Sequence, residues 1–142
     1  MTKTIIAFDF GTQSIGVAVG QTLTKTASEL TPIKARDGIP NWETMEKLIN
    51  EWQPNLLVVG LPLNMDGTES ELAKRSKKFG NRLRERYKIN VVQMDERLST
   101  YSAKEEAMDR RQTLDFSKNP VDSIAARLIL ESWFTENQSL KK

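Results

Sequence analysis

The chain of 142 residues falls in the size range where a single domain with one compact core is commonest. Its 21 basic and 19 acidic residues, with 38% hydrophobic content, suit a folded soluble domain rather than a disordered one. Cysteine and histidine are both missing, which excludes disulfides, thiolate nucleophiles, histidine general bases and histidine-ligated zinc. Any enzyme built from this sequence works with carboxylates, Lys, Arg, hydroxyls or a hard metal ion.

In chain order, the apolar run Ile5 to Gly11 reads as a buried strand. A short turn at Gly11 to Ser14 leads into a second strand, Ile15 to Gly20, close enough to form an antiparallel hairpin. Ala27 to Ala35 reads as a third strand, with Pro32 placing it at an edge. Asn41 caps a helix whose apolar positions Met45, Leu48, Ile49 and Trp52 recur at helical spacing, and Pro54 ends it. Leu56 to Gly60 has the unbroken apolar pattern of a parallel strand buried on both faces. Leu61 to Ser70 is rich in turn residues and reads as a loop, followed by a long helix from about Ser70 to Tyr87. Asn90 to Glu96 is the next strand.

Ser99 or Thr100 caps a short helix through Met108, Asp109 to Lys118 reads as a mobile loop, and Asn119-Pro120 starts a last helix that runs to about Asn137. The order β-β-β-α-β-α-β-α-α predicts one α/β domain over residues 1–138. Its sheet is mixed and five-stranded, three antiparallel strands followed by parallel ones, and residues 139–142 form a frayed tail. No run of about 18 apolar residues is present, so no membrane partner is expected and a cytoplasmic location follows as the default.

Three acidic positions stand out. Asp9 lies inside an apolar strand between Phe8 and Phe10, where an unpaired carboxylate is costly to bury. Asp95 and Glu96 end the last strand, and because neighbouring strand residues point to opposite faces, at most one of them shares the face of Asp9. Asp122 falls in the first turn of the last helix, on the inward stripe of Ala125, Ala126, Ile129 and Trp133. Acids at two strand ends and a helix start can converge on one rim of the sheet. An oxygen-only ligand set suits Mg²⁺ or Mn²⁺, and two such ions would clamp a phosphodiester for attack by water.

Charge is unevenly spread. From Lys74 to Lys88 there are eight basic residues and one acid, a local net of +7, leaving −5 on the rest of the chain. Such a helix suits phosphate-backbone binding through Lys74, Lys77, Lys78 and Arg82, with Arg110 and Arg111 adding contacts from the polar loop.

Four segments, Asp9-Phe10-Gly11-Thr12, Gly60 to Thr68, Asp95 to Thr100 and Asp122 to Ala126, together resemble the YqgF/RuvX family in order and spacing, from Ile5 to about Phe134. The resemblance implies a ribonuclease H-like fold related to RuvC-type Holliday junction resolvases. It also implies a metal-dependent nuclease that processes the 5′ end of pre-16S ribosomal RNA. Carried over by motif position, Asp9, Glu96 and Asp122 would be the catalytic, metal-binding acids, with Asp95 the alternative to Glu96. Thr12, Asn64 and Arg97 would touch the substrate backbone. RuvC-type resolvases carry an acid where this chain has Leu61-Pro62, so Glu96 on the following strand would have to replace it.

The Asp9 to Ser14 turn also resembles the phosphate loop of sugar kinases, but that fold needs two such domains and the length allows one. Two rivals stay open: a nuclease for branched, four-way DNA, and a non-catalytic ribosome-assembly factor. The sequence leaves the oligomer open between monomer and homodimer.

Overall fold

The computed structural model describes residues 3–95 and 121–137; of Val121 and Asp122 it describes the backbone. The short helix through Met108, the 109–118 loop, the Asn119-Pro120 helix start and the tail lie outside the described residues. The strands are β1 (Thr4–Asp9), β2 (Ser14–Gln21), β3 (Thr26–Arg36), β4 (Ile39–Pro40), β5 (Leu56–Leu61) and β6 (Asn90–Asp95). The helices are α1 (Trp42–Trp52), α2 (Glu71–Tyr87) and α3 (Val121–Glu136).

One mixed sheet runs in the order β4-β3-β2-β1-β5-β6. β1, β2 and β3 are antiparallel neighbours, while β5 pairs parallel to both β1 and β6. The expected three-plus-two arrangement therefore forms, with one addition. Asp37 and Gly38 both take positive φ, 50° and 82°, which closes a two-residue hairpin and adds the short strand β4. Among the described residues the sheet thus has six strands rather than five.

β3 pairs with β2 throughout and with β4 only at Ala35 and Arg36, so Pro32 does sit on an edge. Ile15 pairs with Ile33 and Val17 with Leu30, so three steps on β3 match two on β2. Pro32 occupies this bulge, where the ladder is already interrupted.

The helix ends follow the expected capping chemistry. Asn41 accepts the N–H groups of Glu43 and Thr44 at 3.1 and 3.2 Å, and α1 closes at Gln53 in the left-handed region, just before Pro54. The Ser70 hydroxyl accepts the Ala73 N–H at 3.0 Å and donates to the Pro62 carbonyl at 2.8 Å, joining α2 to the loop before it. That loop is itself built as a small hairpin, with a bridge between Leu63 and Glu69.

The two faces of the sheet carry separate apolar layers. Ile6, Phe8, Phe10, Ile15, Val17, Ile33, Leu57 and Val59 pack with Met45 and Ile49 of α1 and Phe79 and Leu83 of α2. The Phe79 ring meets Phe8 edge-on at 5.7 Å and Phe10 at 5.3 Å. On the other face, Ile5, Ala7, Ala18, Val58 and Met94 pack with Ala126, Ile129, Leu130 and Phe134 of α3. α3 is therefore inward through Ala126 and Ile129 of the stripe the sequence suggested. Ala125 lies outside the layer and Trp133 is only partly buried, with Leu130 and Phe134 taking the inward places instead. The helix covers that face among the described residues.

Candidate active-site rim

The carboxyl ends of β1, β5 and β6 lie together at one rim of the sheet, the location where open α/β sheets generally carry their sites. Asp9 is the last residue of β1 and is half-buried. Its side chain alternates with Phe8 and Phe10, so it points with Ile5 and Ala7 toward the α3 face. Its partner on β2 is Gly16, and continuing the β1–β5 register one step past Phe8 and Val59 brings Gly60 alongside. Both flanking positions lack side chains, which leaves room beside the carboxylate.

The turn after Asp9 is tightly determined. A Cβ at Gly11 would lie 2.4 Å from the Ser14 carbonyl oxygen, so any larger residue would force the turn open. The Thr12 carbonyl accepts the Gly38 N–H and the Gln13 carbonyl accepts the Ala35 N–H, both at 2.9 Å. The rim next to Asp9 is thereby fastened to β3 and to the β3–β4 turn.

Asp122 enters through the start of α3, and the residue that fixes this start is Ser123. Its fully buried hydroxyl accepts the Val17 N–H at 3.2 Å and donates to the Leu30 carbonyl at 2.6 Å. Val17 and Leu30 are register partners at the edge of the bulge, so the hydroxyl stands in the rung between them. Val17 also follows Gly16, the partner of Asp9. Ser123 therefore sets the backbone of Asp122 over the strand that neighbours Asp9. Further along α3, Arg127 pairs with Glu29 of β3 at 2.9 Å.

Asp95 is placed differently. It is the last residue of β6 and pairs with Leu61. Met94 belongs to the α3-side layer, so Asp95 alternates onto the α1/α2 side, away from Asp9. Glu96, Arg97, Arg110 and Arg111 lie outside the described residues, as does the side chain of Asp122. Among the described residues no group of three acids comes together to hold an ion. What is described of the rim does fit a hard cation: an oxygen donor half-buried at a strand end, open flanks, and a second acid carried on a pinned helix start.

The basic helix α2 lies on the opposite face of the sheet from Asp9. Lys74, Lys78 and Arg82 form one exposed stripe at four-residue spacing, which takes Arg82 about 12 Å further along the helix axis than Lys74. Lys77 is ion-paired with Glu69, and Arg75 reaches Asp37 at 3.1 Å. The Asn64 amide donates to the Thr68 hydroxyl at 3.0 Å, shaping its own loop. Sequence reasoning missed Ser123, whose contacts lie about a hundred positions away, and it missed the short strand β4. The signal for the latter was available in the Asp37-Gly38 dipeptide, which marks a hairpin turn.

Comparison with known proteins agrees with this fold. The family described as "RuvX: Holliday junction resolvase" matches residues 3–136. A protein of Saccharophagus degradans, 56% identical over 96% of both chains, carries the name "Putative pre-16S rRNA nuclease". So does one of Haemophilus ducreyi, 58% identical over 96% of this chain and 99% of its own. Among solved structures, T. thermophilus RuvC in complex with a Holliday junction superposes with a TM-score of 0.53 at 17% identity, covering 94% of this chain and 95% of that one. Fowlpox virus resolvase bound to Holliday junction DNA gives 0.54 at 14% identity, covering 98% and 99%. These two likenesses establish the fold, which is that of the ribonuclease H-like resolvases. With a sheet of this topology, an acid at the end of its first strand and close relatives along nearly its whole length, the chain belongs to the RuvX family of resolvase-like nucleases.

Proposed function

We propose that this protein is a divalent-metal-dependent ribonuclease acting in the cytoplasm on the 5′ end of pre-16S ribosomal RNA. The observation that carries the chemistry is Asp9, half-buried between two glycine positions and facing the helix start that Ser123 pins. Asp9, Glu96 and Asp122 would hold Mg²⁺ or Mn²⁺, in all two ions. The parity of β6 supports Glu96 over Asp95 for this role. Ions held by these carboxylates would supply positive charge to stabilise attack of water on the phosphodiester.

The protein's own contribution is placement. Asp9 offers its carboxylate at a fixed height on the sheet, and the Gly11 to Ser14 turn keeps the backbone beyond it from drifting. The glycine flanks leave space for a phosphate to approach the carboxylate. Names of close relatives favour the RNA substrate, whereas the family description favours a four-way DNA junction.

The deciding experiment offers a pre-16S 5′ leader RNA and a synthetic four-way junction with Mg²⁺, with Mn²⁺ and with EDTA, to wild type and to Asp9→Asn. RNA cleavage that is lost with EDTA and in the variant is the expected result. Cutting of the junction alone would make the protein a resolvase. Full activity in Asp9→Asn would remove the metal-site reading.

A further inference from the structure

The cations on the same face of the sheet as Asp9 are not those of the basic helix. On β3, Ile33 and Ala35 pack against the α1/α2 layer, so Lys34 and Arg36 alternate onto the α3 side, the side of Asp9. Lys34 pairs in register with Ser14, which is two residues along β2 from Gly16, the partner of Asp9. Two strand spacings across and two residues along put the Lys34 Cα about 12 Å from that of Asp9. Both side chains are exposed, and among the described residues neither forms an ion pair. The acid of the adjoining turn, Asp37, is already engaged by Arg75 through both its carbonyl, at 2.6 Å, and its carboxylate.

Lys34 and Arg36 line a groove of about 490 Å³ at the β3–β4 edge, where Ile39, the register partner of Arg36, is the apolar residue on their face. The groove is rigidly joined to the Asp9 rim. Ala35 and Gly38 donate to the carbonyls of Gln13 and Thr12, and Asn41 donates to the carbonyl of Lys34 at 3.0 Å. A strand held with one phosphate at Asp9 would therefore meet fixed positive charge on the same surface, a short distance along its backbone.

We propose that the β3–β4 groove is a second anchoring site for the substrate's sugar-phosphate backbone, in which Lys34 and Arg36 bind phosphates flanking the one that is cut. The assignment rests on the nuclease reading above and adds where the uncut part of the strand is held. Ile39, 49% exposed, gives a sugar face an apolar surface to lie against. The site is sequence-independent, because it touches backbone and carries no base-reading group.

The test compares wild type with K34A/R36A and with the charge-conserving K34R/R36K. Fluorescein-labelled pre-16S leader RNA and a labelled four-way DNA junction are titrated in EDTA across a series of KCl concentrations, and cleavage is followed separately with Mg²⁺. Losing two phosphate contacts should flatten the slope of log Kd against log salt by about 1.4 on single-stranded RNA, equivalent to about 25-fold weaker binding at ~0.1 M salt. K34A/R36A should raise KM more than it lowers kcat, K34R/R36K should restore both, and melting should be unchanged because both side chains are exposed. The arm that responds, RNA or junction, identifies the backbone the groove holds. Unchanged affinity and slope in K34A/R36A, with wild type binding and cutting normally, overturns the groove alone. A wild type that neither binds nor cuts either probe overturns the nuclease reading and the groove with it.

Discussion

Ser123→Ala isolates one buried hydroxyl that joins three elements. In the native fold this oxygen takes the Val17 N–H at 3.2 Å and gives its proton to the Leu30 carbonyl at 2.6 Å, with no exposure to water. Alanine leaves an N–H and a C=O facing each other across a gap sized for an oxygen. Each orphaned group costs about 1–3 kcal/mol, so a loss of about 2–6 kcal/mol is expected. That is a large share of the roughly 5–15 kcal/mol that holds a domain of this kind together. Melting should fall by about 3–4 °C per kcal/mol at this chain length, or about 6–24 °C in all. Urea unfolding followed by tryptophan fluorescence gives the free energy, and an unchanged m-value shows that the unfolded state is the same. Cleavage should drop further than stability requires, by about tenfold to a hundredfold below the melting range, because Asp122 loses its fixed mount. A stability change below about 1 kcal/mol would refute the reasoning. It would mean that β2 and β3 close the rung directly and that the hydroxyl holds nothing.

Two further outcomes are expected. Asp95→Asn should keep metal-dependent cleavage, since Asp95 faces the α1/α2 side, whereas Glu96→Gln should lose it; single-turnover rates on the leader RNA decide, and the reverse pattern would break the parity argument. Burial pushes the Tyr87 phenol above its ordinary value of about 10, an effect only partly offset by the neighbouring Arg86 charge. Because the folded state keeps this proton longer than the unfolded state does, the contribution is intact below pH ~10 and is lost as pH rises from there through the folded value. Ultraviolet titration should show one late phenolate transition that disappears in Tyr87→Phe.

Much of the scaffold was legible because it depends on local chemistry. The unbroken apolar run of β5, the Asn41 cap and the stop at Pro54 each act within a few residues. β4 escaped notice because two residues carry no periodicity, although the Asp-Gly turn before it did carry a signal. At the site, the alternation of strand residues was readable, but that Asp95 lies on the side away from Asp9 needed the packing of Met94 against α3. Ser123 was invisible as a clamp, since its partners are 106 and 93 positions away and a serine near a helix start has an obvious local use. Charge density drew attention to α2. Which face of the sheet a cation occupies is a tertiary property, and the sparse pair Lys34 and Arg36 has no density to announce it.

The division of the apolar interior between two faces has a consequence for how the protein is made. By the time Asp95 is synthesised, every strand among the described residues and both helices of one layer exist. The opposite layer, Ile5, Ala7, Ala18, Val58 and Met94, still lacks the four side chains that α3 brings. The 41 positions from Asp95 to Glu136 take about 2–8 s to translate at about 5–20 residues per second. For that interval the nascent chain carries a half-covered sheet. A message truncated between these points would release a product whose layer permanently lacks those four side chains, a substrate for chaperones and proteases rather than a weakened enzyme.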